Sequence, residues 1–138
     1  MQLSTNILVV DDEPVLQDVL GTLLTSHGYE TRAAMTAADG LKQLHDGDID
    51  VILLDIMLPD RSGLEILPEI KAFDPEIPVI VITAYSSVES AIEAMRLGAF
   101  HYVPKPFKNE EVLHLVRRAA EGRSLRAENR RLRSQLEG

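Results

Sequence analysis

The chain has 138 residues, 45% of them hydrophobic, and a net charge of −8. This length and composition fit one globular domain with a core of its own. No stretch is long enough to span a bilayer, and the first residues lack the pattern of an export signal. The absence of Cys excludes a disulfide framework, a thiolate metal site and a Cys nucleophile. We therefore expect a cytoplasmic protein without a membrane partner.

Charge is unevenly distributed along the chain. Residues 117–138 contain seven Arg against three Glu, a net charge of +4, which leaves −12 for the rest of the chain. The acidic part would repel the phosphates of a nucleic acid. Contact with nucleic acid is therefore expected only through domains that this chain does not contain.

Short apolar runs alternate with helical patterns from the first residues onward. The runs are rich in Val and Ile without polar alternation, which is typical of strands covered on both faces. The segments between them repeat apolar residues at intervals of three and four. The pattern predicts an α/β fold, a doubly wound parallel sheet of five strands with helices on both faces. In chain order, the predicted strands and helices are 7–10, 14–26, 29–34, 36–44, 51–54, 62–73, 79–83, 87–97, 101–103 and 109 onward.

Polar side chains stand at the ends of four predicted strands. Asp11 and Asp12 follow the first strand and Asp55 follows the third. Thr83 ends the fourth strand, and Lys105 comes just after the fifth. The ligand site of a doubly wound sheet lies beyond the carboxyl ends of its strands, so these side chains should share one edge. Crowded carboxylates repel one another unless a cation lies among them, and an oxygen-only set favours Mg²⁺.

The chemistry predicted for this edge is the acceptance of a phosphoryl group by Asp55. An Asp carboxylate beside bound Mg²⁺ is a competent nucleophile toward phosphorus. Lys105 would offer a positive charge to one phosphoryl oxygen, and Thr83 a hydroxyl to another.

Four segments, VVDDE, LLDIMLPDRSG, VIVITAY and KPF, resemble in this order those of response-regulator receiver domains in two-component signalling. The resemblance covers about residues 5–121 and implies a flavodoxin-like sheet with strand order 2-1-3-4-5. It further implies a histidine kinase as partner and a phosphoacceptor rather than an enzyme. We accordingly divide the chain into a receiver domain, residues 1–121, and a helical linker that starts a coiled coil, residues 122–138.

The resemblance also assigns the ligands of the metal. It makes Asp55 the phosphorylated residue and Asp12 a direct ligand of Mg²⁺. Asp11 becomes a ligand through water, and the carbonyl of Met57 a third protein ligand. The plainer alternative for Asp11 and Asp12 is a pair of charges that stabilises the dipole of the first helix.

Three further residues match family positions. Thr83 matches the switch hydroxyl, Lys105 the phosphate-binding Lys, and Tyr102 the aromatic whose rotation reports phosphorylation. The Lys105–Pro106 bond is expected to be cis, as in receivers with this KPF segment. The plainer alternatives are a β-branched strand end for Thr83, a half-buried aromatic for Tyr102 and a solvated turn residue for Lys105.

Three other functions were weighed against this one. A haloacid-dehalogenase-like phosphatase needs a second Asp two positions after the first, and Met57 stands there, which cannot transfer a proton. A flavodoxin-like flavin carrier cradles phosphate after its first strand, where Asp11, Asp12 and Glu13 would repel it. A degenerate receiver that serves only as an interaction module remains the alternative, because a complete acidic set does not prove turnover.

The segment RSLRAENRRLRSQL favours a short coiled coil. Its seam positions are spaced by four, three and four residues: Leu125, Asn129, Leu132 and Leu136. We predict one helix over residues 109–136 and a parallel homodimer through this helix and the last strand–helix face. Gly122 weakens a continuous helix by about 1 kcal/mol. Two heptads are too few for an independent coil, so a frayed Arg-rich helix end is the alternative.

Two segments, YSSVESAIEAMRLGAFHYVPKPF and LRAENRRLRSQL, resemble those of NtrC-type transcription activators that work with the nitrogen-type sigma factor. In that family a receiver is joined by a helical linker to an AAA+ ATPase and a DNA-binding helix-turn-helix. This sequence contains neither a Walker motif nor a helix-turn-helix. We expect it to be the amino-terminal part of a longer regulator of transcription.

Overall fold

A computed structural model describes the backbone of residues 5–137, together with the side chains of residues 5–123 and of Leu132. Within it, five parallel strands form one sheet in the order β2-β1-β3-β4-β5. This confirms the predicted fold class and strand order. The elements are β1 (Asn6–Val10), α1 (Pro14–Thr25), β2 (Glu30–Ala34), α2 (Ala37–Asp46), β3 (Val51–Leu54), α3 (Gly63–Phe73), β4 (Val79–Thr83), α4 (Val88–Arg96), β5 (His101–Pro104) and α5 (Asn109–Glu137).

Helices cover both faces of the sheet and enclose two apolar layers. Successive side chains of a strand point to opposite faces, so Leu8 and Val10 join one layer while Ile7 and Val9 join the other. The first layer is completed by residues of α2, α3 and α4, and the second by residues of α1 and α5. The three inner strands are buried along almost their whole length, which explains their unbroken apolar sequences.

Predicted and observed helices differ by one or two residues at several of their ends, and three of the shifted starts have the same cause. Thr36, Ser62 and Ser87, which we placed inside helices, are N-cap residues whose hydroxyls accept a backbone N–H of the first turn. The Ser90 hydroxyl oxygen in turn accepts the backbone N–H of Ser87, which completes a capping box on α4. The caps fix where each helix begins, directly beside the carboxyl edge of the sheet.

The last helix confirms the predicted continuity. It runs from Asn109 to Glu137 and passes through Gly122 without interruption. An ion pair of 2.7 Å joins Arg123 to Asp74 at the end of α3. Of the predicted seam, only the side chain of Leu132 is among those described, and it is about half exposed. Leu125, Asn129 and Leu136 lie outside the described side chains.

Two further observations concern the backbone. The Lys105–Pro106 bond is cis, as predicted. Among the helices of residues 5–137, none combines the length and the apolar character that a bilayer crossing requires.

Two glycines in helices have opposite surroundings. A Cβ on Gly63 would lie 2.2 Å from the carbonyl oxygen of Asp55, because the start of α3 passes directly over the end of β3. The Gly63 N–H also donates to the carbonyl of Ile56 at 2.7 Å. A Cβ on Gly21 in α1 would meet nothing closer than the Thr31 hydroxyl at 3.8 Å.

We predict that Gly21→Ala raises the free energy of unfolding by up to about 1 kcal/mol, since Ala favours a helix and has room. Gly63→Ala should lower it by about 1–3 kcal/mol, since backbone must move to admit the methyl group. Urea unfolding of both variants and the wild type measures this. A Gly63→Ala protein as stable as the wild type would contradict the close approach.

Candidate functional site

The pairing of β1 with β3 brings the acidic residues of the predicted site together. Val10 of β1 lies opposite Leu54 of β3, so the residues that follow them, Asp11 and Asp55, emerge side by side. The N–H of Asp55 donates to the Val10 carbonyl at 3.0 Å, and the N–H of Asp11 donates to the Ala34 carbonyl at 2.9 Å. Both acidic residues are therefore held by their backbones at the end of the sheet.

Three carboxylates meet at this edge. Asp11, Asp12 and Asp55 each offer an oxygen within 4.8 Å of the others. Asp11 and Asp55 are only 3% and 5% exposed, whereas Asp12 is open to solvent. A surface depression lies over Asp12 and Asp55, and Met57 and Tyr85 belong to its lining. The predicted grouping of these residues is present in the structure.

Lys105 completes the cluster from the other side. Its Nζ donates to Asp11 at 2.8 Å and to Asp55 at 3.1 Å, and it lies 3.7 Å from Glu13. Burial alone would lower the pKa of the Lys105 ammonium, but the hydrogen bonds to Asp11 and Asp55 outweigh burial and raise that pKa. Burial raises the pKa of the Asp11 carboxyl, although Lys105 opposes the change. Lys105 is thus a protonated partner of two buried carboxylates.

Thr83 lies next to Lys105 at the same edge. The Lys105 N–H donates to the Thr83 carbonyl at 2.8 Å, which fixes the residue after β5 to the end of β4. Thr83 is fully buried, and its hydroxyl oxygen accepts the N–H of Tyr85 at 3.1 Å. The hydrogen of the Thr83 hydroxyl is not used in that bond, so it can donate to another group.

Tyr102, the predicted switch aromatic, is partly buried beneath α4. Its ring packs against the first apolar layer, and its hydroxyl lies 2.5 Å from Oγ of Ser90. Ser90 belongs to the capping box of α4, so this hydroxyl contacts the turn that starts the helix. Tyr102 is therefore linked to the position of α4 and lies away from the carboxylate cluster.

The loop between β3 and α3 carries Met57, the predicted carbonyl ligand. The N–H of Met57 donates to the Asp55 carboxylate at 3.2 Å, and the Met57 side chain is about half exposed. Farther along, both carboxylate oxygens of Asp60 accept backbone N–H groups at the start of α2, from Ala37 at 2.8 Å and Ala38 at 2.9 Å. These hydrogen bonds lower the pKa of the Asp60 carboxyl.

Sequence reasoning did not single out three residues that support this edge. Gln17 donates its amide to the carbonyls of Val9, Asp11 and Ala34, at 2.9, 3.0 and 3.2 Å. The sequence places Glu13 in the acidic turn after β1 and Asp60 in the segment after β3, but it indicates no role at the site for either residue. Their partners lie on other elements, so no local pattern in the sequence indicates these contacts.

The donor chemistry of the cluster fits Mg²⁺. Among the described residues, the group that could hold an ion here consists of three carboxylates, and carboxylate oxygen is a ligand that Mg²⁺ prefers. These carboxylates and the nearby Glu13 outnumber the ammonium of Lys105, which leaves an excess of negative charge that a divalent cation would offset. Receiver domains bind Mg²⁺ at an acidic cluster of this kind.

Comparison with known proteins agrees with the site. The profile of the response regulator receiver domain matches residues 7–117. The chain belongs to this family, whose members act in two-component signalling with histidine kinases.

Two curated relatives show the same domain within longer proteins. The regulatory protein AtoC of Escherichia coli (strain K12) is 40% identical over 130 residues, which are 94% of this chain and 28% of the relative. The DNA-binding transcriptional regulator NtrC of Proteus hauseri is 44% identical over 114 residues, 83% of this chain and 24% of the relative. The chain thus spans about a quarter of the length of these relatives.

Solved structures share the fold. A CheY-like response regulator receiver domain protein from Methanospirillum hungatei JF-1 superposes with a TM-score of 0.86 at 29% identity, covering 90% of this chain and 99% of that one. NtrX from Brucella abortus, solved with ADP, gives 0.86 at 36% identity, covering 94% of this chain and 30% of that one.

Removing the Lys105 charge tests the electrostatics of the cluster. In Mg²⁺-free buffer, Lys105→Met should lower the free energy of unfolding by about 1–3 kcal/mol, because Asp11 and Asp55 lose their cationic partner. Addition of Mg²⁺ should then stabilise this variant more than the wild type, since the ion no longer competes with the ammonium.

Urea unfolding with and without Mg²⁺ measures both effects, and Lys108→Met serves as control because Lys108 is exposed on the same loop. Equal stabilisation of Lys105→Met and the wild type by Mg²⁺ would contradict the prediction.

Proposed function

We propose that Asp55 accepts a phosphoryl group from a partner histidine kinase, with Mg²⁺ held by the carboxylates of Asp11, Asp12 and Asp55 and the carbonyl of Met57. The observation that carries the proposal is the buried Asp55 carboxylate, which lies at a strand end among two other carboxylates and an ammonium. The Asp55 side chain contributes to the lining of the overlying depression. Hydrogen bonds from the Met57 N–H and the Lys105 ammonium hold its carboxylate in one orientation.

The reaction is an exchange of bonds at phosphorus. A carboxylate oxygen of Asp55 attacks the phosphorus of a phosphohistidine while the bond from phosphorus to the histidine nitrogen breaks. The electron pair of that bond stays on the nitrogen, and the ring leaves as neutral imidazole if its other nitrogen carries a proton. Mg²⁺, when bound, would offset the negative charge of the Asp55 carboxylate and the incoming phosphoryl oxygens.

Two neighbouring groups are positioned to stabilise the product. Lys105, now hydrogen-bonded to Asp55, would pair with a phosphoryl oxygen on the modified residue. The Thr83 hydroxyl would donate to a second phosphoryl oxygen. A shift of Thr83 would change the segment up to Tyr85, whose N–H it now accepts, and so alter the approach to α4. Tyr102 would respond through its contact with Ser90.

The proposed domain boundary lies after Glu121, where a helical linker begins. Among the described side chains of α5, Ala119 is buried in the second layer and Ala120 packs against it, which supports this placement. The ion pair between Arg123 and Asp74 would then anchor the first turn of the linker to the receiver. In a longer parent protein, the linker would lead to an AAA+ and a DNA-binding module that activates transcription, and we place that protein in the cytoplasm. The name of the Proteus hauseri relative, a DNA-binding transcriptional regulator, and the greater lengths of both relatives support the DNA-binding part of this assignment.

An interaction module that never carries phosphate is the less favoured alternative. It would have no need for two buried carboxylates that share one ammonium, an arrangement that is costly to form. Phosphorylation of the wild-type chain therefore separates the two functions directly.

Incubation with Mg²⁺ and a small phosphodonor should add one phosphoryl group to the wild type, as seen by mass spectrometry, and hydroxylamine should remove it, as expected of an acyl phosphate. Asp55→Asn should take up none. Asp50→Asn is the matched control, because Asp50 lies just before the opposite end of the same strand and binds the N–H of Asn6. Phosphate retained by Asp55→Asn at the wild-type level would refute the assignment.

The linker segment, residues 122–138 and called the tail below, supports a second part of the proposal, a parallel homodimer. The helix continues to Glu137, so the seam positions lie on one continuous element. In heptad terms, Leu125 and Leu132 are d positions and Asn129 is an a position. Val88 and Ile92 of α4, the helix that contacts β5, are 76% and 57% exposed and would extend this contact beside the last strand.

Light scattering over a range of protein concentrations tests the dimer. The intact chain should dimerise, and a chain ending at Glu121 should stay monomeric. Leu132→Glu places a charge in the seam and should weaken the dimer, whereas Ser134→Glu places the same charge at the outer f position and should not. The tail is not the dimerising element if all four proteins have the same oligomeric state.

A further inference from the structure

Asp60 makes an unusual connection for an exposed loop residue. Its two carboxylate oxygens accept the first two N–H groups of α2, those of Ala37 and Ala38. Thr36 accepts the third, from Asp39, through its own hydroxyl. The start of α2 is thus capped by two side chains, one from its own segment and one from a distant loop.

The loop that contains Asp60 is the one that carries Met57. It leaves β3 at Asp55 and is closed at its base by the hydrogen bond from Gly63 to Ile56. Between these points Leu58 packs partly on the core, whereas Met57, Pro59 and Asp60 are exposed. The hydrogen bonds of Asp60 to α2 therefore fix the outer half of this loop to a neighbouring element.

The segment before α2 is also hydrogen-bonded to Asp11, in the acidic turn after β1. Ala37 stands three residues after Ala34, whose carbonyl accepts the N–H of Asp11 at 2.9 Å and the Gln17 amide at 3.2 Å. The short segment between β2 and α2 is thus hydrogen-bonded to Asp11 on one side and to Asp60 on the other.

We propose that Asp60 is a positioning residue for the metal site, which holds the carbonyl of Met57 at a fixed distance from Asp11 by tying the β3–α3 loop to the start of α2. This role rests on the proposed function, in which both residues serve Mg²⁺. Asp60 does not touch the ion. Groups that orient ligands influence affinity because a misplaced ligand must be brought back at a free-energy cost.

The test compares Mg²⁺ affinity, by calorimetry, between variants of the intact chain. Asp60→Asn keeps the shape of the side chain but replaces one accepting oxygen with an amide group that cannot accept an N–H. We expect it to weaken Mg²⁺ binding about three- to tenfold, less than the roughly 10–100-fold loss found when a group bonded directly to a ligand is removed. Asp60→Ala should weaken it at least as much.

Two controls separate positioning from other effects. Thr36→Ala removes the other cap of α2 and should destabilise the protein by about 1 kcal/mol without changing Mg²⁺ affinity. Asp39→Asn removes a charge from the same helix start and reports the long-range effect of charge alone. Repeating the titrations in about 1 M salt, where the Debye length is about 3 Å, suppresses that effect but not a change in geometry.

Hydrogen exchange in Mg²⁺-free buffer supplies a second readout. The N–H groups of Met57 and Leu58 should exchange faster in Asp60→Asn than in the wild type, and at the wild-type rate in Thr36→Ala. Unchanged Mg²⁺ affinity in Asp60→Asn, or an equal loss in Thr36→Ala or Asp39→Asn, would overturn the positioning role while leaving the proposed function intact. A wild type that binds no Mg²⁺ would overturn both.

Discussion

An ammonium group held between two buried carboxylates connects distant parts of this fold. Asp11 and Asp55 follow neighbouring central strands, whereas Lys105 follows the strand at the edge of the sheet. The two ion pairs therefore bridge across the end of β4. They form only because β1, β3, β4 and β5 all end at the same edge of the sheet. Burying such charges costs several kcal/mol per ion before pairing, and the two apolar layers on the faces of the sheet offset that cost. The two apolar layers thus stabilise the fold, and the reactive groups lie at the carboxyl edge of the sheet.

Much of the architecture can be predicted from the sequence because the signals are local. A strand covered on both faces must be apolar throughout, so the three inner strands stand out as unbroken runs. A polar residue directly after such a run must lie at the sheet edge, which identifies Asp11 and Asp55. The order of the strands came from family resemblance, since periodicity alone does not say which strands are neighbours. The helix starts were misplaced by one residue where a hydroxyl cap resembles a first turn, as at Ser62.

The contacts that orient the site could not be predicted in this way. Asp60 and Ala37 are 23 residues apart, and Gln17 and Ala34 are 17 apart. In each case a common polar residue on a surface loop or first turn meets a backbone group of another element. No residue type or sequence spacing is characteristic of such contacts, because any of several nearby polar residues could make the same hydrogen bond. Only the three-dimensional arrangement identifies which one does.

The unbroken course of α5 has a mechanical consequence. Its 17 residues from Glu121 to Glu137 form a rod about 25 Å long, at about 1.5 Å per residue. If the helix turned by about 10° against the receiver, the far end would sweep about 4 Å over that length. The ion pair between Arg123 and Asp74 lies at the start of this segment, close to the point about which the helix would turn. At that position it offers little resistance to the rotation. A small rearrangement at the sheet edge would thus be magnified at the far end of the helix.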